Sequence, residues 1–257
     1  MSNPKSSETQ KRSSLIKRLL IMVGAFIIAI NAIQLLFVTT QAKSDIIAEN
    51  INMYMNMLDG YSDSLHNDVE GYFKALNGYL YADIMDDGDL EACYEWIQDP
   101  KHSDMRGDFD YVMFSGPDGQ ARTDLGGITS IVERDYFQAI MQNGADKFVD
   151  NPVIGKTTGL PVAHICRALK DKSGRTFAMI TGVININRIT EEIGKIKIGE
   201  NGFAYLLASS GMVIAHPQTD LVMQRNFLTG DGMGEDNKKI AQAMVSRQSG
   251  YGWKKAN

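Results

Sequence analysis

Cysteine is nearly missing from this chain: 257 residues carry two, Cys93 and Cys166. No Cys-x-x-Cys or Cys/His spacing surrounds them, so a zinc site is not indicated. Two independent thiols acting as small apolar fillers are expected, and spacing alone leaves a disulfide open. The four histidines, His66, His102, His164 and His216, are scattered and offer no pair at helical or hairpin spacing. Phosphate-binding glycine loops, the dinucleotide fingerprint, the zinc-protease helix and the nucleophile elbow are all absent. The acidic run "DIMDDGD" (83 to 89) lacks the alternating ligands and distal Glu of a calcium loop, and reads as a solvated turn. Neither an enzyme, a metal nor a cofactor is therefore expected. Beyond the first 18 residues there is no long basic run, and net charge is −5, which argues against nucleic acid.

Proline is missing too, from Pro4 to Pro100. Within that gap "LLIMVGAFIIAINAIQLLFV" (19 to 38) contains no charge. At about 1.5 Å per residue it crosses a hydrocarbon core of about 30 Å. It exceeds the apolar region of a usual signal peptide, and only "TQA" (40 to 42) resembles a cleavage site. An uncleaved anchor is expected over residues 19–39. Lys5, Lys11, Arg12, Lys17 and Arg18 precede it, which places a cytoplasmic tail at 1–18 and the remainder outside, at the inner membrane. Residues 1 to 14, rich in Ser, Lys, Asn and Gln, are expected to be disordered.

Beyond the span, Ile47, Ile51, Tyr54, Leu58, Tyr61, Leu65, Val69, Tyr72, Leu76 and Tyr79 step by three and four. This predicts one long helix over 40–84, roughly 60 Å for 40 residues, in phase across Gly60 and Gly71. Such a seam can also pack on a twin helix, so a homodimer is expected. After Pro100 the period changes. A helix over 86 to 99, a hairpin in "YVMFSGPDGQARTD", a helix over "ITSIVERDYFQAIMQNG" and a hairpin in "VAHICRALKDKSGRTFAMITGVINI" follow. A short helix "NRITEEIGKI" and the strand-turn-strand "FAYLLASSGMVIAHP" complete the order. Shifted by 92 residues, Tyr111–Phe114 lies over Phe203–Leu206 and Gly119 over Gly211, which suggests tandem modules. The second module, ending at "YGWKKAN", reads as incomplete, as in a truncated chain, a fragment or a remnant. The fold class is α+β, with antiparallel sheets on a long helix.

The order of one span, a long helix and the segments "ERDYF", "TTGLP", "GVININRITE", "IGENGFAYLL" and "GMVIAHP" resembles the double Cache extracytoplasmic sensor domain of bacterial methyl-accepting chemotaxis proteins and some sensor kinases and diguanylate cyclases. The resemblance implies a membrane-distal PAS-like module at 85–187, a membrane-proximal one at 188–257, and a small-molecule ligand in the distal pocket. Amino-acid-binding members grip the carboxylate with an Arg-x-Trp pair and the ammonium with a Tyr and an Asp. Carried over, Arg134 matches the Arg, Tyr136 replaces the Trp, Val153 falls near the Tyr, and Asn187 takes the Asp position. Asn187 cannot balance a buried ammonium, so a small carboxylate or another hydrogen-bonding metabolite is favoured over an α-amino acid. Asn187 reads equally as the N-cap of the following helix. Phe137, Tyr111, Met113, Asp124, Asn151 and His164 complete the expected ligand-facing set.

The implied function is the ligand-sensing region of a chemoreceptor. The alternatives are a sensor region of another output type, a secreted binding protein cleaved after Ala42, and an extracytoplasmic hydrolase.

Overall fold

The computed structural model describes residues 5–156, 158–230, 234–250 and 252, and the side chains of this set from residue 17 onward. The chain falls into two compact units, 1–58 and 59–257.

The first unit is helical throughout its described residues, as part of α1 (Lys5–Leu80). Residues 5 to 14, expected to be disordered, are instead helical. Lys, Gln and Glu are good helix formers, and propagation from an existing helix avoids the cost of nucleation. Leu19 to Val38 are exposed apart from the half-buried Gly24, and by length and composition this stretch can cross a membrane. Thr39 and Thr40 turn their hydroxyls back onto carbonyls of Leu35, Leu36 and Phe37, satisfying themselves within the helix.

Residues 59–80 of α1 belong to the second unit. The helix runs unbroken past Gly60 and Gly71 and ends at Leu80, four residues short of the expected boundary, where a 3₁₀ turn over Asp83–Met85 takes over. Helix α2 (Leu90–Gln98) is capped by Asp89, whose side chain accepts from the N–H groups of Glu91 and Ala92. Asp86 and Asp87, from the acidic run, flank Lys172.

A seven-stranded antiparallel sheet forms the centre. Its strands are β1 (Tyr111–Ser115), β2 (Gln120–Thr123), β3 (Ile128–Ser130), β4 (Lys147–Val149), β5 (Val153–Ile154), β6 (Pro161–Lys170) and β7 (Thr176–Asn185). The order is β3-β2-β1-β7-β6-β4, with β5 also on β6. Residues 128–130 therefore correct the expected helix over "ITSIVERDYFQAIMQNG". A turn with Gly126 at φ 86° and the β-branched Ile128 and Thr129 favour a third strand, paired to β2. Only Asp135–Phe137 (α3) and a π-helical turn over Gln138–Gln142 are helical there.

Alternation sorts the sheet into two faces. Ile165 and Leu169 of β6, with Ala178, Ile180 and Ile184 of β7, bury against Phe73, Leu76 and Tyr79 of α1 and against α2. Val162, Cys166 and Ala168 face the other way, with Tyr136, Phe137 and Ile140. Gly182 belongs to the first face. A Cβ there would lie 2.3 Å from the Phe109 ring, which in turn packs 5.4 Å from Tyr72 of α1. The cysteines are buried and free, one on each face.

After β7 come α4 (Ile186–Gly194), two-stranded pairs β8 (Lys197–Ile198) with β9 (Gly202–Phe203) and β10 (Leu206–Leu207) with β11 (Val213–Ala215), and α5 (Glu235–Val245). Gly119 and Gly211 both take positive φ, at 69° and 82°, as tight turns require. The strand openings before them differ: β1 is continuous, whereas the matching stretch divides between β9 and β10. Thr157 of "TTGLP", Tyr251 and residues 253–257 lie outside the described residues.

Candidate functional site

On the face of the sheet away from α1, a cleft is lined by Tyr111 and Met113 of β1, Thr129 of β3, Ile131, Arg134, Tyr136, Lys156 and His164. Five expected residues meet there: Arg134, Tyr136, Tyr111, Met113 and His164. Its volume is about 10 Å³, room for roughly one water molecule.

Tyr136 stands at the first turn of α3 and is buried, its ring stacked on His164 at 4.4 Å and 26°. Desolvation raises its hydroxyl well above the ordinary tyrosine range, so Tyr136 can donate but not ionise. His164 sits in β6 on the inward side by the two-residue period. Asp150 holds it twice: Oδ1 accepts from the His164 backbone N–H and Oδ2 lies 2.7 Å from ring Nδ1. Facing a carboxylate, Nδ1 carries the proton. Both side chains are buried, at 4% and 6% exposure.

Two cations close the mouth. Arg134 Nη2 donates to the Ile154 carbonyl at 3.2 Å, and Lys156 Nζ donates to the Ser130 carbonyl at 3.0 Å. The bonds cross: each segment supplies one cation and one carbonyl. A guanidinium held by a neutral carbonyl keeps its charge uncompensated, and its planar fork suits a carboxylate. The lining contains two basic side chains and no carboxylate. Both oxygens of Asp150 are engaged by His164.

Four expected residues are elsewhere. Phe137 packs into the core below β2. Asp124 is tied by Arg106 Nε at 2.6 Å and by the Val112 N–H at 3.1 Å, which makes it a clamp between the 3₁₀ helix Pro100–Arg106 and β1. Asn151 is exposed and accepts from Ser209. Asn187 is exposed on the first turn of α4, and the N-cap is Asn185, whose side chain accepts from the Asn187 N–H. The strand runs to Asn185, so the cap falls two residues earlier than expected. Val153, placed near the ammonium-binding Tyr, is a partly buried core residue of β5.

Lys156 and Asp150 were missed. Both lie between β4 and β6, where no periodicity marks which side chains turn inward. A basic residue next to Gly155, beside a segment already assigned to the pocket, was the available signal for Lys156.

Residues 31–255 match the dCache_1 family model, a Cache domain. The methyl-accepting chemotaxis protein McpB of Bacillus subtilis (strain 168) is 29% identical over 84 residues, 33% of this chain and 12% of McpB. TlpB of the same organism, another methyl-accepting chemotaxis protein, is 34% identical over 82 residues, 32% of this chain and 12% of TlpB. These matches thus span 12% of each receptor's length. Among solved structures, the ligand-binding domain of the Pseudomonas fluorescens chemoreceptor CtaA with L-isoleucine superposes at a TM-score of 0.58. Identity is 16%, over 70% of this chain and 74% of that one. The ligand-binding domain of Mlp24 with asparagine gives 0.53 at 14% identity, over 66% and 71%. At these identities the likeness concerns the fold. With most of its length on one family model, the chain belongs to the Cache domain family.

Proposed function

We propose that this chain is the ligand-sensing region of a transmembrane chemoreceptor-type signal transducer, with a small carboxylate as ligand in the Arg134 cleft. The observation that carries the ligand class is the convergence of Arg134 and Lys156 on a cleft whose lining offers no carboxylate. The departure at Asn187 no longer supports this choice, since Asn187 is not at the cleft. The charge of the lining replaces it: an α-ammonium would meet two cations and find no anionic partner. The sensor role draws on the McpB and TlpB matches. In this reading residues 19–39 anchor the chain in the inner membrane with the N-terminus cytoplasmic. Residues 85–187 form the distal module and 188–257 the proximal one, and the receptor is a homodimer without catalytic activity.

Binding works by exchange. An arriving carboxylate replaces the Ile154 carbonyl on Arg134 and the Ser130 carbonyl on Lys156, and the segment 154–156 shifts to admit it. Closed and ligand-opened arrangements differ in these contacts, which gives a ligand the differential affinity it needs to bias a two-state receptor.

A second reading, an α-amino acid ligand, is favoured by the solved relatives of this fold, bound to L-isoleucine and asparagine. Thermal unfolding of the detergent-solubilised chain with acetate, pyruvate, L-lactate, succinate, L-isoleucine and L-asparagine separates the two. We expect one of the first four to raise the midpoint, and Arg134→Ala to abolish the rise. A rise with the amino acids alone overturns the ligand class. A rise that survives Arg134→Ala overturns the site.

A further inference from the structure

The two nitrogens of the His164 ring meet different surroundings. Nδ1 lies 2.7 Å from Asp150 Oδ2, and one face of the ring is covered by Tyr136. The opposite edge carries Nε2, which makes no hydrogen bond among the described residues. Nor is Nε2 sealed in. Among those residues Arg167 Nε is the one fully enclosed side-chain polar atom without a partner, so an unbonded Nε2 retains accessible surface. The open space beside His164 is the cleft that it lines with Arg134, Tyr136 and Lys156.

The proton on Nδ1 decides what Nε2 can do. In a neutral imidazole protonated at Nδ1, Nε2 holds a lone pair and can only accept. Asp150 fixes this tautomer, with one oxygen on the His164 backbone N–H and the other on the ring. Among the side chains of the lining, His164 alone is confined to accepting. Arg134 and Lys156 only donate, and the hydroxyls of Tyr111, Thr129 and Tyr136 do either. A ligand that closes the cleft has to bring a donor to Nε2, because a buried acceptor left without one carries a desolvation cost.

Resting on the carboxylate reading above, we propose that His164 Nε2 determines the specificity of the cleft and that the ligand is a small 2-hydroxycarboxylate. The carboxylate takes Arg134 and Lys156, and the hydroxyl on the neighbouring carbon donates to Nε2. The cleft encloses only about 10 Å³, so a compact acid with both groups on adjacent carbons requires the smallest shift of segment 154–156. A 2-oxo acid sets its carbonyl oxygen against the Nε2 lone pair, acceptor facing acceptor. An unsubstituted acid leaves Nε2 unmet. An ammonium could donate the same bond, but it brings a further positive charge beside Arg134 and Lys156, whereas a hydroxyl brings none.

The test is calorimetric titration of the detergent-solubilised full chain at about pH 8, where imidazole is neutral. The probes are L-lactate, D-lactate, glycolate, pyruvate and propionate. The better-bound lactate should exceed pyruvate and propionate by about tenfold or more, the scale of one unmet buried acceptor. Asp150→Asn supplies a second arm. Its amide oxygen keeps the bond from the backbone N–H, while its N–H group turns to Nδ1, moves the ring proton to Nε2 and makes Nε2 a donor. The preference for lactate over pyruvate should then fall to about twofold or less. A merely structural role for the pair would weaken all the acids alike. If Asp150→Asn does not fold, the acid series on the parent chain decides alone. Pyruvate and propionate binding as tightly as lactate, all lost in Arg134→Ala, overturns the role of His164 and leaves the carboxylate site standing. A lactate preference unchanged in a folded Asp150→Asn overturns that role too. No binding by any of the probes, or binding that survives Arg134→Ala, overturns both.

Discussion

Asp150 grips His164 at both its backbone N–H and its ring Nδ1, each at 2.7 Å, with Tyr136 stacked across the imidazole. The carboxylate spans the gap between the chain after β4 and the middle of β6, and fixes the ring that forms one wall of the cleft. Removing one partner of a buried pair leaves the other without compensation. Asp150→Ala should therefore cost about 3 kcal/mol. That lowers the unfolding midpoint by roughly 6–12 °C for a domain of this size. Asp150→Asn keeps one carbonyl acceptor for the backbone N–H and should cost clearly less. Equal losses in the two variants would show that the ring contact alone matters.

Lys156 is exposed and its only described side-chain bond is to a carbonyl, so Lys156→Gln should leave stability within about 0.5 kcal/mol. Carboxylate affinity should fall about tenfold, since a charge-assisted bond is lost. Affinity measured by the same thermal titration that tests Arg134 decides this. A variant binding as tightly as the parent removes Lys156 from the site.

Asp124 belongs to the scaffold. Its carboxylate is 5% exposed and holds both Arg106 and the start of β1. Asp124→Ala should destabilise by about 3 kcal/mol, because a buried donor and a cation lose their acceptor. The carboxylate affinity of the remaining folded protein should be unchanged. Loss of affinity with intact stability would return Asp124 to the ligand.

Gly182 has no room for a side chain: a Cβ would meet Phe109 at 2.3–2.5 Å. Overpacking of a well-filled core costs typically about 1–3 kcal/mol, and Gly182→Ala should lie at the upper end. Phe109→Leu should recover part of that loss in the double variant, a coupling readable in a double-mutant cycle. Additive losses would mean that the backbone, not the ring, resists.

His216 gives the stability a pH dependence. Burial holds its pKa below the ordinary 6.5, so the folded form prefers the neutral ring. Its Nδ1 accepts from the Gln218 N–H, which fixes the tautomer. Above 6.5 both folded and unfolded chains are neutral at this residue and it contributes no slope. As pH falls through 6.5 the unfolded chain takes up the proton first, so stability falls until the folded ring also protonates. Midpoints at pH 7.5 and 5.5 should differ less in His216→Gln than in the parent; an unchanged difference would place the slope in other groups.

Much of the architecture was legible from pattern alone. The apolar seam from Ile47 to Tyr79 kept helical phase through two glycines, and α1 follows it without a break. The Lys-Ser-Gly turn between two apolar runs gave the β6–β7 hairpin, since each run fills a buried strand. Arg134 and Tyr136 were named from the resemblance to Cache sensors rather than from local pattern, and both line the one cleft. What failed depended on chain trajectory. Lys156 and Asp150 lie on irregular backbone between β4 and β6, and no local period records where such a segment turns. At Asn185 and Asn187 two identical residues compete for one cap, and only the length of β7 decides between them. Ile128 to Ser130 were absorbed into a helix because short apolar runs fit either period.

The crossed bonds at the mouth of the cleft have an evolutionary side. Arg134 and Lys156 both rest on main-chain carbonyls, of Ile154 and Ser130. A carbonyl is present whatever side chain its residue bears, so substitutions at 130 and 154 leave these resting contacts chemically available. Residues of the lining such as Thr129 and Ile131 can then drift toward a new shape of ligand while the unliganded arrangement persists. In the proposed carboxylate site, tuning of specificity is thereby uncoupled from maintenance of the resting state, and a lineage can change what it detects without first rebuilding its silence.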